Sequence, residues 1–230
     1  MNNLCSICMR AGSKEVPKKS LKYINNKPLM AYTIEQALKC KLFTKIVAST
    51  DSKKISKQAK LLGVDYCIDR PKRLATDISA KLPAIRHALI QAEKFFDKKF
   101  NIIVDLDITS PLRNIRDIVN AYRLFIKKKA DFLITGTKSK KNPYFNIVEI
   151  NNNKIQIVKN SKKKIVRRQD APKTYDLNAS IYIWKRKTLI KEKSLNQCKT
   201  VIYEMPEHRS IDIDSEFDLR IVKFLLKKNK

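Results

Sequence analysis

The chain has 230 residues, 43% of them hydrophobic, enough for one large α/β domain and too many for a small scaffold that leans on disulfides. Its 50 Lys+Arg against 22 Asp+Glu give a net charge of +28, yet the acids are interspersed from Asp51 to Asp218, whereas a dedicated nucleic-acid binder gathers its cations into one stripe with aromatics between them; most of the lysine excess reads as solvated surface, and no nucleic-acid partner is expected. No stretch approaches the ~20 apolar residues of a membrane helix, and the opening residues lack the basic and apolar regions of an export signal, so the expectation is a cytosolic protein with no membrane partner.

The first two thirds alternate between short apolar runs and amphipathic stretches, the pattern of a mostly parallel sheet with helices on both faces. Leu4 to Met9 reads as the first buried strand. It carries Cys5 and Cys8 without a second pair or nearby His to complete a zinc site, so these thiols, like Cys40, Cys67 and Cys198, are expected to be reduced. Pro28 opens a helix with Met30, Ile34, Ala37 and Leu38 on one stripe. Lys45 to Thr50 is a strand, a lysine-rich helix ends at Gly63, and Val64 to Ile68 is the next strand.

A polar loop from Asp69 to Lys81 precedes a helix from Pro83 to Phe96, and Phe100 to Leu106 is a strongly apolar strand. Ile115, Ile118, Val119, Tyr122 and Ile126 mark another helix, and Ala130 to Thr135 another strand. From 138 to 175 the alternation fails, with short strand-like pieces at Phe145 to Ile150 and Lys154 to Val158; this segment is expected to be an arm inserted into a single domain spanning 1–230. Strands resume at Asn178 to Trp184 and Thr200 to Glu204, and Phe217, Ile221, Phe224 and Leu225 define a closing helix.

In open α/β sheets, ligands bind beyond the carboxyl ends of the strands. The loop after the first strand, Arg10 to Ser20, sets four cations around Gly12 and is an anion cradle by composition, although a solvated basic loop has the same make-up. The glycine patterns of dinucleotide-binding and P-loop proteins are both absent. Asp212 and Asp214 stand at i and i+2 of an extended segment, hence on one side, and such a pair suits Mg²⁺, which takes one or two carboxylates and completes its shell with water and phosphate; helix capping would explain Asp214 but not Asp212. Asp105 and Asp107 repeat that spacing at the end of the central strand, where Asp105 suits anchoring of loop amides and Asp107 suits a metal or a substrate hydroxyl.

These pieces, in this order, resemble the cytidylyltransferases that activate nine-carbon sialic-type sugar acids. The resemblance runs from Ile7 to about Leu226 and is carried by Met9 to Ser20, Ser49-Thr50-Asp51, Arg70 to Asp77, Thr109 to Arg113, Arg168 to Pro172, Asn178 to Ile183 and Ser210 to Asp214. The chain departs from the pattern at Glu15 for a glycine, Ala179 for a glycine, Ser20 for an asparagine, Lys81 for a serine and Asp107 for a glutamine. Ala80 to Pro83, Asp105 to Asp107 and Asn142 to Asn146 look most like the bacterial branch acting on legionaminic acid; enzymes for ordinary sialic or pseudaminic acid are the alternatives.

The resemblance implies a Rossmann-like fold of the nucleotide-diphospho-sugar transferase type with a small protruding dimerisation arm. It also implies reaction of CTP with a nonulosonic acid to give CMP-sugar and pyrophosphate, with Mg²⁺ as cofactor. By motif, Arg10, Lys14, Asp212 and Asp214 are the catalytic residues, and Arg10, Gly12, Ser13, Lys14, Lys19, Ser20, Arg70 and Lys81 bind the nucleotide. Asp107, Arg168, Gln169, Asn178 and Tyr182 bind the sugar, and Asp212 and Asp214 bind metal with Asp107 as a further ligand. The arm is implied to pair in a homodimer, so that Arg168 acts in the neighbouring site.

Overall fold

The computed structural model describes residues 1–12, 16–77, 79–159, 165, 167–191 and 195–228. The first strand, β1 (Asn3–Cys8), leads to a two-residue hairpin, β2 (Tyr23–Ile24) and β3 (Lys27–Pro28), whose turn residues Asn25 and Asn26 take φ of 47° and 69°. Asparagine tolerates that left-handed geometry, which matches the twist of the flanking strands. Pro28 then opens α1 (Leu29–Lys39), followed by β4 (Lys45–Thr50). The Ser52 side chain caps α2 (Lys53–Leu61) by accepting the Ile55 N–H, and Gly63, at φ 98°, ends it. The strand β5 (Tyr66–Asp69) and the helix α3 (Lys81–Phe96) complete this half.

The central strand β6 (Ile102–Leu106) is followed by α4 (Ile115–Lys127), which starts on a reciprocal capping box between Asn114 and Asp117. Then come β7 (Phe132–Lys138), a separate hairpin of β8 (Val148–Asn151) and β9 (Lys154–Ile157), and the long β10 (Tyr175–Lys185). A short α5 (Arg186–Ile190), β11 (Thr200–Glu204) and α6 (Glu216–Lys228) close the chain.

The seven-stranded sheet has the order β11-β7-β10-β6-β1-β4-β5 and is parallel except for β10, which runs antiparallel to both β6 and β7. The predicted mostly parallel sheet is therefore present, with one reversed strand inside it. Tyr175 pairs with Lys138, and the Ser139 N–H bonds to the Thr174 carbonyl, so the 139–174 segment grows from the carboxyl end of β7. That is the end of the sheet where a ligand cleft belongs. Between Leu177 and Tyr182 the β10 register against β7 shifts, and Ala179 is held at φ 49°. A few residues below this irregularity, Gly136 is required, because a Cβ there would lie 2.8 Å from the Asp176 carbonyl oxygen.

One face of the sheet packs Ile34, Ala37, Ile55, Ile118 and Phe125 against Ile7, Val104 and Leu133, and the other packs Ile85, Leu89 and Leu189 against Leu4, Val47 and Ile103. Full burial of each such side chain stabilises by roughly 1.5–3 kcal/mol, so the strands are held from both sides. A third cluster joins Val16, Ile24 and Leu29 to Ile213, Leu219 and Val222, docking α6 on the hairpin β2–β3. The closing helix therefore buries only part of the predicted stripe: Leu219 and Val222 face in with Leu225 packed against their cluster, while Phe217 and Phe224 are 70% and 57% exposed. Leu38 and Ile126, placed on buried stripes by periodicity, are also exposed. Among the described residues no helix is long and apolar enough to cross a membrane. None of the five cysteines is in a disulfide, and burial pushes the Cys5 thiol well up and the Cys8 thiol to about 12.

Candidate active site

A cleft opens at the carboxyl ends of β1, β5 and β6, lined by Arg10, Gly12, Lys19, Ser20, Arg70, Lys81, Asp107, Asp212 and Asp214, together with Leu74, Thr76, Asp77, Ser79 and Ala80. Ser13 and Lys14, expected in the same turn as Gly12, lie outside the described residues.

Each wall is set by local chemistry. The Ala11 N–H bonds to Asp51 at 2.8 Å, fixing the chain as it leaves β1, and Arg10 meets Asp77 at 2.5 Å. Both partners of that pair are more than a third exposed, so it holds by at most ~1 kcal/mol and Arg10 is easily recruited to an anion. Arg70 is nearly buried and donates from Nη2 to the Ser49 carbonyl at 2.8 Å and from Nε to its hydroxyl, which fixes its guanidinium against β4. Lys19 donates to the Ile213 carbonyl, and its Nζ lies 3.6 Å from Asp214 Oδ1, so the basic first loop and the acidic C-terminal pair face each other directly.

The Asp212-Ile213-Asp214 segment works by alternation. Ile213 is fully buried under α6 and its N–H bonds to the Thr109 carbonyl at 2.9 Å, which turns both flanking carboxylates toward the cleft. Asp214 is open to solvent, with 78% of its side chain exposed. Asp212 is partly buried, and its Oδ1 is enclosed without a hydrogen-bond partner among the described residues. Burial, reinforced by the negative charge of Asp107, pushes its carboxyl up to about 6. The turn before it is anchored where Arg209 grips Asp117 at 2.9 and 3.0 Å.

The floor of the cleft is a buried charge network. Lys81 Nζ stands 2.9 Å from Asp105 Oδ2 and 2.7 Å from Asp107 Oδ2. Asp105 is completely buried and also accepts the Ser6 hydroxyl at 2.7 Å. Asp107 accepts the Thr109 N–H and hydroxyl; burial alone would raise its carboxyl, but Lys81 and these donors hold it below the ordinary range. Beneath it, Arg113 is 1% exposed and donates to the carbonyls of Asp107 and Ser180, to the Thr33 hydroxyl and to Gln36. Burial brings Arg113 down to about 10, which leaves it cationic at neutral pH.

The expected sugar residues divide. Tyr182 borders an apolar groove beside the cleft, stacked with Trp184 at 5.3 Å, and Lys81, which lines both spaces, sits 4.8 Å from its ring. Asn178 is buried and ties Thr135 to Ser210, bracing β10 against the turn before Asp212. Arg168 and Gln169 lie on an exposed turn beyond the hairpin β8–β9, where Arg168 donates to the Ser139 carbonyl, and neither lines the cleft. Sequence reasoning gave no role to Asp77, which holds Arg10, or to the wall of Thr76, Ser79 and Ala80; the quoted Arg70-to-Asp77 motif contained the signal for Asp77. It also did not foresee that Lys81 and Asp107, two departures from the family pattern, are partners.

Residues 4–227 match the family model described as cytidylyltransferase. The chain is 45% identical over 223 residues to the CMP-N,N'-diacetyllegionaminic acid synthase of Campylobacter jejuni, covering 97% of this chain and 94% of that protein. It is 42% identical over 225 residues to the post-translational flagellin modification protein B of Campylobacter coli, covering 98% and 95%. Among solved structures, a CMP-2-keto-3-deoxy-manno-octonic acid synthetase complexed with CTP matches over the full length of both chains with a TM-score of 0.72 at 15% identity, a likeness of fold. With its cleft at the strand ends and the family match spanning nearly the whole sequence, this chain belongs to the cytidylyltransferases and is a nucleotidyltransferase.

Proposed function

We propose that the enzyme transfers CMP from CTP to a nonulosonic acid, with legionaminic acid or its diacetyl form as the acceptor, releasing pyrophosphate in a Mg²⁺-dependent reaction. The observation that carries this reading is the meeting of Arg10, Lys19 and Arg70 with Asp212 and Asp214 in one cleft. Identity of 45% to a CMP-N,N'-diacetyllegionaminic acid synthase supports the choice of acceptor.

In such a transfer the anomeric hydroxyl attacks the α-phosphorus in line and pyrophosphate leaves, so the protein's task is to position both reactants and offset the phosphoryl charge. Arg10 and Lys19 draw in the triphosphate, together with Lys14 of the same turn. Gly12 leaves its neighbourhood open to a phosphate, with nothing within 4 Å of where a Cβ would stand. Ser20 and Arg70 hold the nucleotide. An enclosed, unpartnered carboxylate oxygen on a carboxyl raised to about 6 is the mark of a group that wants a cation, so Asp212 fits Mg²⁺ and Asp214 is its second carboxylate. When bound, the ion would supply charge neutralisation to the phosphate oxygens.

Tyr182 places the acceptor beside Lys81 and Asp107, with Asn178 bracing that wall. The hairpin β8–β9 exposes Ile150 and Ile155 at 74% and 72%, an apolar surface on an arm that extends from the cleft end of the sheet. This supports a homodimer in which Arg168 and Gln169 serve the partner's acceptor site; a fully active monomer in sedimentation would contradict it. The main test is pyrophosphate release with each nucleoside triphosphate crossed against legionaminic, pseudaminic and sialic acids. Turnover with CTP and legionaminic acid is expected; preference for another nucleotide, or release without any sugar acid, would overturn the reading.

A further inference from the structure

Lys81 is an unusual choice at its position. It is the first residue of α3, where the unsatisfied N–H groups give the helix a positive end and favour acidic side chains. Its ammonium is nevertheless held inside, 29% exposed, between the two carboxylates at the end of β6. Burial works against that charge, but Asp105 and Asp107 outweigh it and hold the lysine protonated well above its usual range. Asp105 Oδ2 is enclosed, and the Lys81 ammonium at 2.9 Å is what compensates its charge. Two carboxylates packed this way repel strongly in a low-dielectric site and need a cation between them.

We propose that Lys81 is a resident cation that keeps a divalent ion off the Asp105–Asp107 pair and so confines metal to the Asp212 side of the cleft. The inference rests on the reading of this cleft as a metal-assisted nucleotidyltransferase site. It fits the engagement of both Asp107 oxygens, one by Lys81 and the other by Thr109, while Asp212 keeps an enclosed oxygen with no hydrogen-bond partner among the described residues. It also gives the two departures at Lys81 and Asp107 one physical cause: an acid at 107 raises the negative charge beside the buried Asp105, and a lysine at 81 cancels it.

The test counts bound Mn²⁺ by the loss of the free-ion electron paramagnetic resonance signal in the intact chain, without nucleotide. Wild type is expected to bind one ion, lost in Asp212→Asn. Lys81→Met is expected to bind one ion more than wild type, with the extra ion lost in Lys81→Met/Asp107→Asn, and Lys81→Arg is expected to gain none. If wild type binds no ion and Lys81→Met binds one, the exclusion of metal from the Asp105–Asp107 pair stands, while its confinement to Asp212 falls with the metal assignment made above. Equal numbers in Lys81→Met and wild type would overturn the inference. Should Lys81→Met be unstable, its melting temperature supplies the second readout: Mn²⁺ must raise it more than it raises wild type and more than it raises Lys81→Met/Asp107→Asn. A Lys81→Met chain that stays unfolded in Mn²⁺ would also count against the inference, because the divalent ion would then have failed to replace the ammonium.

Discussion

Asp105-Leu106-Asp107 and Asp212-Ile213-Asp214 are the same pattern, two acids flanking an apolar residue that is buried in both cases, yet they sit in opposite surroundings. The first pair is closed over a lysine and supported from below by Arg113. The second faces the cleft with one carboxylate in solvent and the other carrying an enclosed oxygen with no hydrogen-bond partner among the described residues. Spacing alone decides that the two acids share a side. What they bind is decided by which cation the rest of the chain brings to them, and for the first pair that cation comes from the start of a different helix.

The sharpest way to break this contrast is Asp212→Asn. Losing the carboxylate with the enclosed oxygen should lower pyrophosphate release at least ~100-fold by removing charge compensation at the phosphates, with the circular dichroism spectrum unchanged. Wild-type turnover would make the two pairs functionally alike. Asp107→Gln, by contrast, should leave Mn²⁺ binding at Asp212 intact and instead change the acceptor preference read across the sugar panel, because it unbalances the Lys81 charge beside Tyr182.

The two pairs should also answer pH differently. Because the folded-state pKa of Asp212 is raised to about 6, its ionised form is the unfavourable one. Its contribution to stability is therefore lost as pH rises from about 4 to 6, and Asp212→Asn should gain on the order of 1–3 kcal/mol at pH 8 but nothing near pH 4. Denaturant melts at the two pH values measure this. In the same window protons compete with metal, so the Mg²⁺ needed for half-maximal rate should climb as pH falls below about 6. Asp107, held low by Lys81, should contribute no such dependence there.

Much of this was legible in the residues. Lys45 to Thr50 and Thr200 to Glu204 coincide with strands, because short β-branched runs between turn signals have no competing reading. The lining of the cleft followed from chain order, since loops after successive parallel strands must gather at one end of the sheet. The reversal of β10 was not legible, as an apolar run does not encode its direction. Nor was the full inward face of α6: periodicity allows Phe217 and Phe224 beside Leu225 as readily as Leu219 and Val222, and the choice depends on the pocket formed by Val16, Ile24 and Ile213. The Lys81–Asp107 pair spans 26 residues and exists only once α3 docks beside β6.

Two stability changes probe the supports beneath each pair. Ile213→Ala should cost about 2–5 kcal/mol in a denaturant melt, as for a buried large-to-small change, and should loosen Asp212 and Asp214 together. Ala179→Gly relieves about 1–2 kcal/mol of left-handed backbone energy and loses about 0.5–1 through the freer unfolded chain, for a small net gain of roughly 0.5–1 kcal/mol; destabilisation would show that the Ala179 conformation is not strained.

The most direct examination is a crystal soaked with CTP and Mn²⁺, with the metal located by anomalous scattering. The account predicts one peak beside Asp212 and Asp214, with the triphosphate against Arg10 and Lys19 and the Lys81 ammonium still between Asp105 and Asp107. A metal peak between Asp105 and Asp107, or a triphosphate bound away from Lys19, would contradict it.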